Sequence, residues 1–102
     1  MERIGSMTPI PQTSDVRFYG ISGPPPSQTI ASAPYRREPY VSVDLPGFGR
    51  FDGKATRCTP QAVLITGETA PGVRHSAWVP ASWVRRISRD ESLWRDPSDL
   101  LD

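Results

Sequence analysis

One histidine, one cysteine and one lysine stand out in a chain that otherwise carries its positive charge on eleven arginines. Any Ser-His or Cys-His nucleophilic pair would have to use His75. That histidine sits between Arg74 and Ser76 in a strand-like stretch, where a solvent-facing or cross-strand position is expected. Cys58, also in a strand-like stretch, reads as a small hydrophobe. A single His and a single Cys cannot build a zinc site of ordinary ligands within one chain. Gly47-Phe48-Gly49 lacks the third glycine and the following helix N-terminus of a phosphate loop. Clustered carboxylates occur only near the C-terminal end, where nothing fixes the spacing that acid–base catalysis needs. No catalytic, cofactor-binding or metal-binding residue is therefore assigned, and the expectation is a protein that is not an enzyme.

The cations offer a second chemistry. Arg50, Lys54, Arg57, Arg85 and Arg86 fall in one stretch with Phe48, Phe51 and Trp83. Arginine forks onto phosphate and stacks on aromatic rings. Single-strand binders combine such groups with exposed aromatics. Residues 40–89 carry a net charge of only +4, which is a modest footprint for nucleic acid.

The elements that position these residues divide the chain into three parts. Residues 1–39 hold seven of the twelve prolines and only twelve apolar residues. Proline fixes φ and removes a donor, so an extended arm is expected there, with polyproline II at Pro24-Pro25-Pro26. Val16 to Ile21 is its apolar island, suited to an edge strand or an anchor. Residues 40–89 hold twenty-one apolar residues among fifty. Val41, Val43 and Leu45 alternate with polar residues, as a half-buried strand requires. Further strands are expected from Phe51 to Thr59 (with Asp52-Gly53 as a turn or bulge), Gln61 to Thr66, Val73 to Val79 and Trp83 to Ile87. Five short strands at spacings near ten residues indicate a small barrel. Residues 90–102 carry a net charge of −4. Asp96-Pro97 has the residue types of a helix start, and Leu93, Trp94, Leu100 and Leu101 give this tail apolar surface.

Ala77-Trp78-Val79-Pro80-Ala81-Ser82-Trp83-Val84 resembles the end of an SH3 domain: aromatic, aliphatic, proline, two variable residues, aromatic, valine. The resemblance implies a small five-stranded SH3-like β-barrel closed by a 3₁₀ turn and a last strand. It also implies that Pro80 and Trp83 stand where that family's peptide groove has its proline and final aromatic. The chain has no Ala-Leu-Tyr-Asp-Tyr-like segment and no tandem tryptophan, so the likeness extends to the barrel and not to ordinary proline-peptide signalling.

The expected whole is mainly β: a Pro-rich arm over 1–39, an SH3-like barrel over 40–89 and an acidic-hydrophobic tail over 90–102. The expected role is a non-enzymatic binding or assembly module. By analogy of layout, that suggests a structural or accessory protein of a phage or mobile element. Its partner would be another protein or further copies of itself, held through Phe18, Tyr19, Pro25, Trp78, Pro80, Trp83, Leu93 and Trp94. The alternative is a nucleic-acid-binding barrel using the five cations named above. The longest aliphatic run, Ala62-Val63-Leu64-Ile65, is far too short to span a bilayer. The single thiol and the absence of an apolar leader in the first residues suggest a cytoplasmic or virion location.

Overall fold

The computed structural model describes residues 16–100. The described residues are mainly β, and seven strands among them form one sheet: β1 (Val16–Phe18), β2 (Ala31–Ser32), β3 (Tyr40–Leu45), β4 (Gly49–Cys58), β5 (Ala62–Ala70), β6 (Val73–Pro80) and β7 (Arg85–Arg86). Strands follow the order β1-β6-β5-β4-β3-β7, with β2 attached to the far end of β4. No α-helix occurs among the described residues.

The apolar alternation read from the sequence builds the core. Val41, Val43 and Leu45 of β3 join Phe51 of β4, Ile65 of β5, and Ala77 and Val79 of β6 in one buried cluster. The registers Val43↔Phe51 and Ile65↔Ala77 place these side chains on one face of the sheet. Tyr19, from the arm, packs against the same cluster.

Three expectations are corrected. The sheet is not closed into a barrel, and it has seven strands rather than five. Closure fails because β6 spends its outer edge on β1, which pairs with it in parallel through Val16↔Ser76 and Phe18↔Trp78. At the other end β7 reaches β3 with only two residue pairs. Asp52-Gly53 is neither a turn nor a bulge; both residues lie mid-strand in β4. The irregularity falls instead between Ala55 and Arg57, where Thr56 is the extra residue. That bulge turns the end of β4 toward β2, which pairs with Arg57 and Cys58. Finally, Asp96-Pro97 starts no helix. The Asp96 side chain accepts the Ser98 N–H at 2.8 Å and its carbonyl accepts the Asp99 N–H, making a single turn.

The arm expectation holds for its apolar island, where Val16–Phe18 becomes an edge strand. The Tyr19 N–H then donates to the Trp78 carbonyl at 3.0 Å. The more N-terminal prolines, Pro9 and Pro11, and Leu101 of the tail lie outside the described residues. The expected 3₁₀ turn is found at Ala81–Trp83, between β6 and β7.

Gly53 explains how β4 and β5 come so close. A Cβ there would lie 2.5 Å from the Thr66 carbonyl oxygen and 2.9 Å from Ile65 Cγ2. Backbone cannot yield as a flexible side chain can. Gly53→Ala should therefore cost about 3 kcal/mol through overpacking, read as a lower urea midpoint. Gly23→Ala, where nothing lies within 4 Å of the added carbon, should leave the midpoint almost unchanged. Equal effects from the two changes would refute this account of the β4–β5 approach.

Candidate functional site

The middle of β4 is buried on both faces: Phe51, Asp52, Gly53 and Lys54 are all buried. Alternation sends Phe51 into the core and Asp52 and Lys54 to the opposite face. On that face β3 presents Tyr40 and Ser42, paired in register with Lys54 and Asp52. Ser42 and Arg50 on the sheet meet most of the demand of Asp52, and the acidic tail and the end of the arm supply the carboxylates that meet Lys54.

Asp52 has a side chain only 1% exposed and accepts four hydrogen bonds. Ser42 Oγ donates at 2.6 Å, Arg50 donates twice at 2.9 and 2.7 Å, and the Leu93 N–H donates at 2.9 Å. Burial pushes this carboxyl up, but the bonds from Arg50, Ser42 and Leu93 outweigh it and hold it below the ordinary range. The Lys54 side chain is 4% exposed and meets three carboxylates: Asp99, Glu38 at 2.7 Å and Asp96 at 3.1 Å. Burial would lower this ammonium, yet the bonds to Asp99, Glu38 and Asp96 raise it well above its usual value. Asp99 also accepts from the Tyr40 hydroxyl and from Arg89 Nε at 2.8 Å. Tyr40 OH in turn accepts the Asp96 N–H at 2.8 Å. Burial raises both aspartates, while Lys54, with Ser98 at Asp96 and with Tyr40 and Arg89 at Asp99, pulls both below the usual value.

Lysine and arginine are placed here by geometry. An ammonium offers three separately aimed donors and meets three carboxylates; the planar guanidinium of Arg50 forks onto one. The chain's only lysine sits where the three-way demand is.

The second feature is the arm. A Cβ on Gly20 would lie 2.8 Å from Pro80 Cγ and 3.0 Å from the Trp83 ring, so bare backbone crosses both residues. The chain's own arm thus lies over the Pro80–Trp83 position that the sequence resemblance singled out. Beyond it, Ile21, Ser22, Gly23, Pro25, Pro26 and Thr29 face Thr59, Pro60, Gln61 and Ala62 across a cavity of about 580 Å3.

The sequence-derived partner residues fall into two groups. Phe18 and Trp83 are each 39% exposed, Tyr19 and Pro80 are half-buried, Trp78 is buried, and Pro25 lines the cavity. Leu93 and Trp94 belong to the tail, with Trp94 tilted against Tyr40 at 6.4 Å between ring centres. Of the five cations, Arg57, Arg85 and Arg86 are exposed, Arg50 is forked onto Asp52, and Lys54 is buried among carboxylates. Lys54 is therefore not a surface cation. His75 is half-buried, stacked on Phe48 at 6.2 Å and edge-on to Phe51 at 5.2 Å. Cys58 aligns through Val63 with Val79, four residues along β6 from His75, so the structure does not bring the two together. Among the described residues, no group of His, Cys, Asp and Glu is placed to hold a metal, and no helix is long and apolar enough to cross a membrane. Sequence reasoning missed Glu38, Tyr40, Arg89, Asp96 and Asp99 as one network; the lone lysine was the available signal.

No family model matches the chain, and no curated protein or solved structure is significantly similar to it.

The network sets a pH window. Asp52, Asp96 and Asp99 have lowered folded values, so their contribution is present above about pH 4 and is lost as pH falls further. Lys54 has a raised folded value, so its contribution is present below about pH 10 and is lost as pH rises beyond it. The urea midpoint should be flat between about pH 5 and 9 and fall on both sides. Lys54→Met should lower stability by about 3 kcal/mol at neutral pH and make the acid limb shallower. An acid limb of the same steepness in wild type and variant would show that the tail carboxylates do not sense Lys54. Lys54→Arg should also destabilise, because a planar fork cannot meet all three carboxylates.

Proposed function

We propose that this protein is a non-enzymatic binding or assembly module that docks on a partner protein through its Pro-rich arm. The observation that carries this reading is the cavity of about 580 Å3 between the arm and the β4–β5 turn. Its walls come from Ile21, Pro25 and Pro26 on one side and Pro60 and Ala62 on the other, so it is largely apolar. Prolines in its wall lose little entropy on binding, which suits a docking surface. Three further features support the reading: Phe18 on the arm and Trp83 beneath it are exposed, β1 has one strand edge with no partner among the described residues, and Arg50, Lys54 and Arg89 are engaged in structural ion pairs. The finer fold reading, an SH3-like sheet that stays partly open, is supported by β6 passing through one 3₁₀ turn into β7, which returns to β3. An accessory role in a phage or mobile element remains part of this proposal by analogy of layout.

A second reading rests on Arg57, Arg85 and Arg86, which are exposed, and takes single-stranded nucleic acid as the ligand. It predicts affinity that falls steeply with salt.

One experiment separates the two. Full-length protein is purified gently from its native host with and without nuclease, beside the double variant Ser22→Arg/Gln61→Arg, which alters two exposed cavity-lining residues. The docking reading expects a stoichiometric, nuclease-insensitive protein that is retained by wild type and lost by the variant. Co-purifying material that leaves with nuclease and is unaffected by the variant would overturn it in favour of the arginines.

A further inference from the structure

The tail is attached differently from every strand. Leu93 and Leu100 are 73% and 46% exposed, so these two leucines contribute little burial, and Trp94 is only half-buried, tilted against Tyr40. Beside that ring contact, what holds it is polar: Lys54 and Arg89 on Asp96 and Asp99, the Tyr40 hydroxyl, the Leu93 N–H on Asp52, and the Leu100 N–H on the Arg36 carbonyl at 3.0 Å. Desolvation offsets most of the attraction in such pairs, so the net hold is small. Segments with few buried apolar contacts open at low free-energy cost.

The receiving face is different. Tyr40 and Lys54 face each other across the β3–β4 ladder, and each strand is anchored on its other side by the core. Its side chains are thus carried by strands that the tail does not build, and the ammonium makes the face selective for carboxylates. Every copy also carries both complementary halves: residues 40–89 have a net charge of +4 and residues 90–102 a net charge of −4.

We propose that Tyr40, Lys54 and Arg89 form an assembly socket for the acidic tail of a second copy of this chain. The tail seated there in cis is the exchangeable occupant. The spacing of Asp96 and Asp99 already satisfies the socket, so a second copy brings a fitted ligand. Reciprocal exchange keeps every contact and closes a two-fold dimer, whereas one-way exchange propagates a chain. A tethered tail has an effective concentration on the order of millimolar, so exchange is favoured where copies are crowded together. This socket lies apart from the arm cavity, and its test does not touch that surface.

The test mixes two full-length variants. Lys54→Met breaks the socket and leaves the tail intact. Asp96→Asn/Asp99→Asn leaves the socket and disables the tail. Each alone should sediment as a monomer, because neither can seat its own tail or that of an identical copy. The equimolar mixture should form a 1:1 heterodimer that dissociates at high salt. A mixture that stays monomeric, with both variants showing wild-type near-ultraviolet circular dichroism, overturns the proposal. A heterodimer that persists when the intact tail is scrambled at constant composition also overturns it, since the socket would then take any acidic chain. If either variant fails to fold, hydrogen exchange on wild type decides. The Leu93 and Leu100 amides should exchange at least about a hundredfold faster than those of Ile65 and Val79. Equal protection would show a permanently seated tail and overturn the exchange.

Discussion

Two opposite charges buried two residues apart on one strand organise this protein. Asp52 and Lys54 face away from the core with side chains only 1% and 4% exposed. A charge in that position cannot be left unpaired, because desolvation of an isolated ion far exceeds the free energy available to a small domain. The chain answers with a neighbour on the same strand and with the segments on either side of the sheet. Arg50 and the Leu93 N–H complete Asp52, while Glu38, Asp96 and Asp99 complete Lys54. The sheet thereby acquires a second layer, made of the arm's last residues and the tail, over the face opposite its apolar core.

That layer positions more than it stabilises. Buried ion pairs roughly break even against their desolvation, but they reject partners of the wrong charge or spacing. The sheet supplies the stability through contiguous apolar burial across β3, β4, β5 and β6. The network supplies register, fixing which tail residues meet which strand residues. The arm is registered by shape instead: bare backbone at Gly20 is needed to pass Pro80 and Trp83, and β1 then follows the edge of β6. The protein thus secures one end by electrostatics and the other by steric fit, and it leaves an apolar cavity beside the second.

The division of labour among the cations follows from these positions. A count of arginines suggested one basic face, but a count does not show which charges are already neutralised within the fold. Arg50 lies two residues from Asp52 on the same strand and forks onto it; Lys54 faces β3, where Tyr40 and the tail converge. Arg50, Arg57, Arg85 and Arg86 of the five are exposed, but Arg50 is already forked onto Asp52. Charge alone therefore overstated the surface potential of the sheet.

Much of the β content was legible because period-2 alternation is local. Val41, Val43 and Leu45 announce which face of β3 is buried, and Pro80-Ala81-Ser82-Trp83 announces the 3₁₀ turn, since both depend on neighbours a few residues away. Closure, strand count and the charge network were not legible. Whether β6 meets another strand or the arm depends on residues sixty positions apart in sequence. Asp52-Gly53 reads locally as a turn, but a partner strand that requires close approach overrides that propensity. Lys54 and Asp99 are forty-five residues apart, and nothing local links them. Sequence alone determined a β-rich chain with a proline-rich arm and an acidic tail, because composition and alternation are properties of the chain itself. Tertiary structure alone decided that the sheet stays open and that a buried lysine gathers three distant carboxylates, because a buried charge selects its partners by proximity in space.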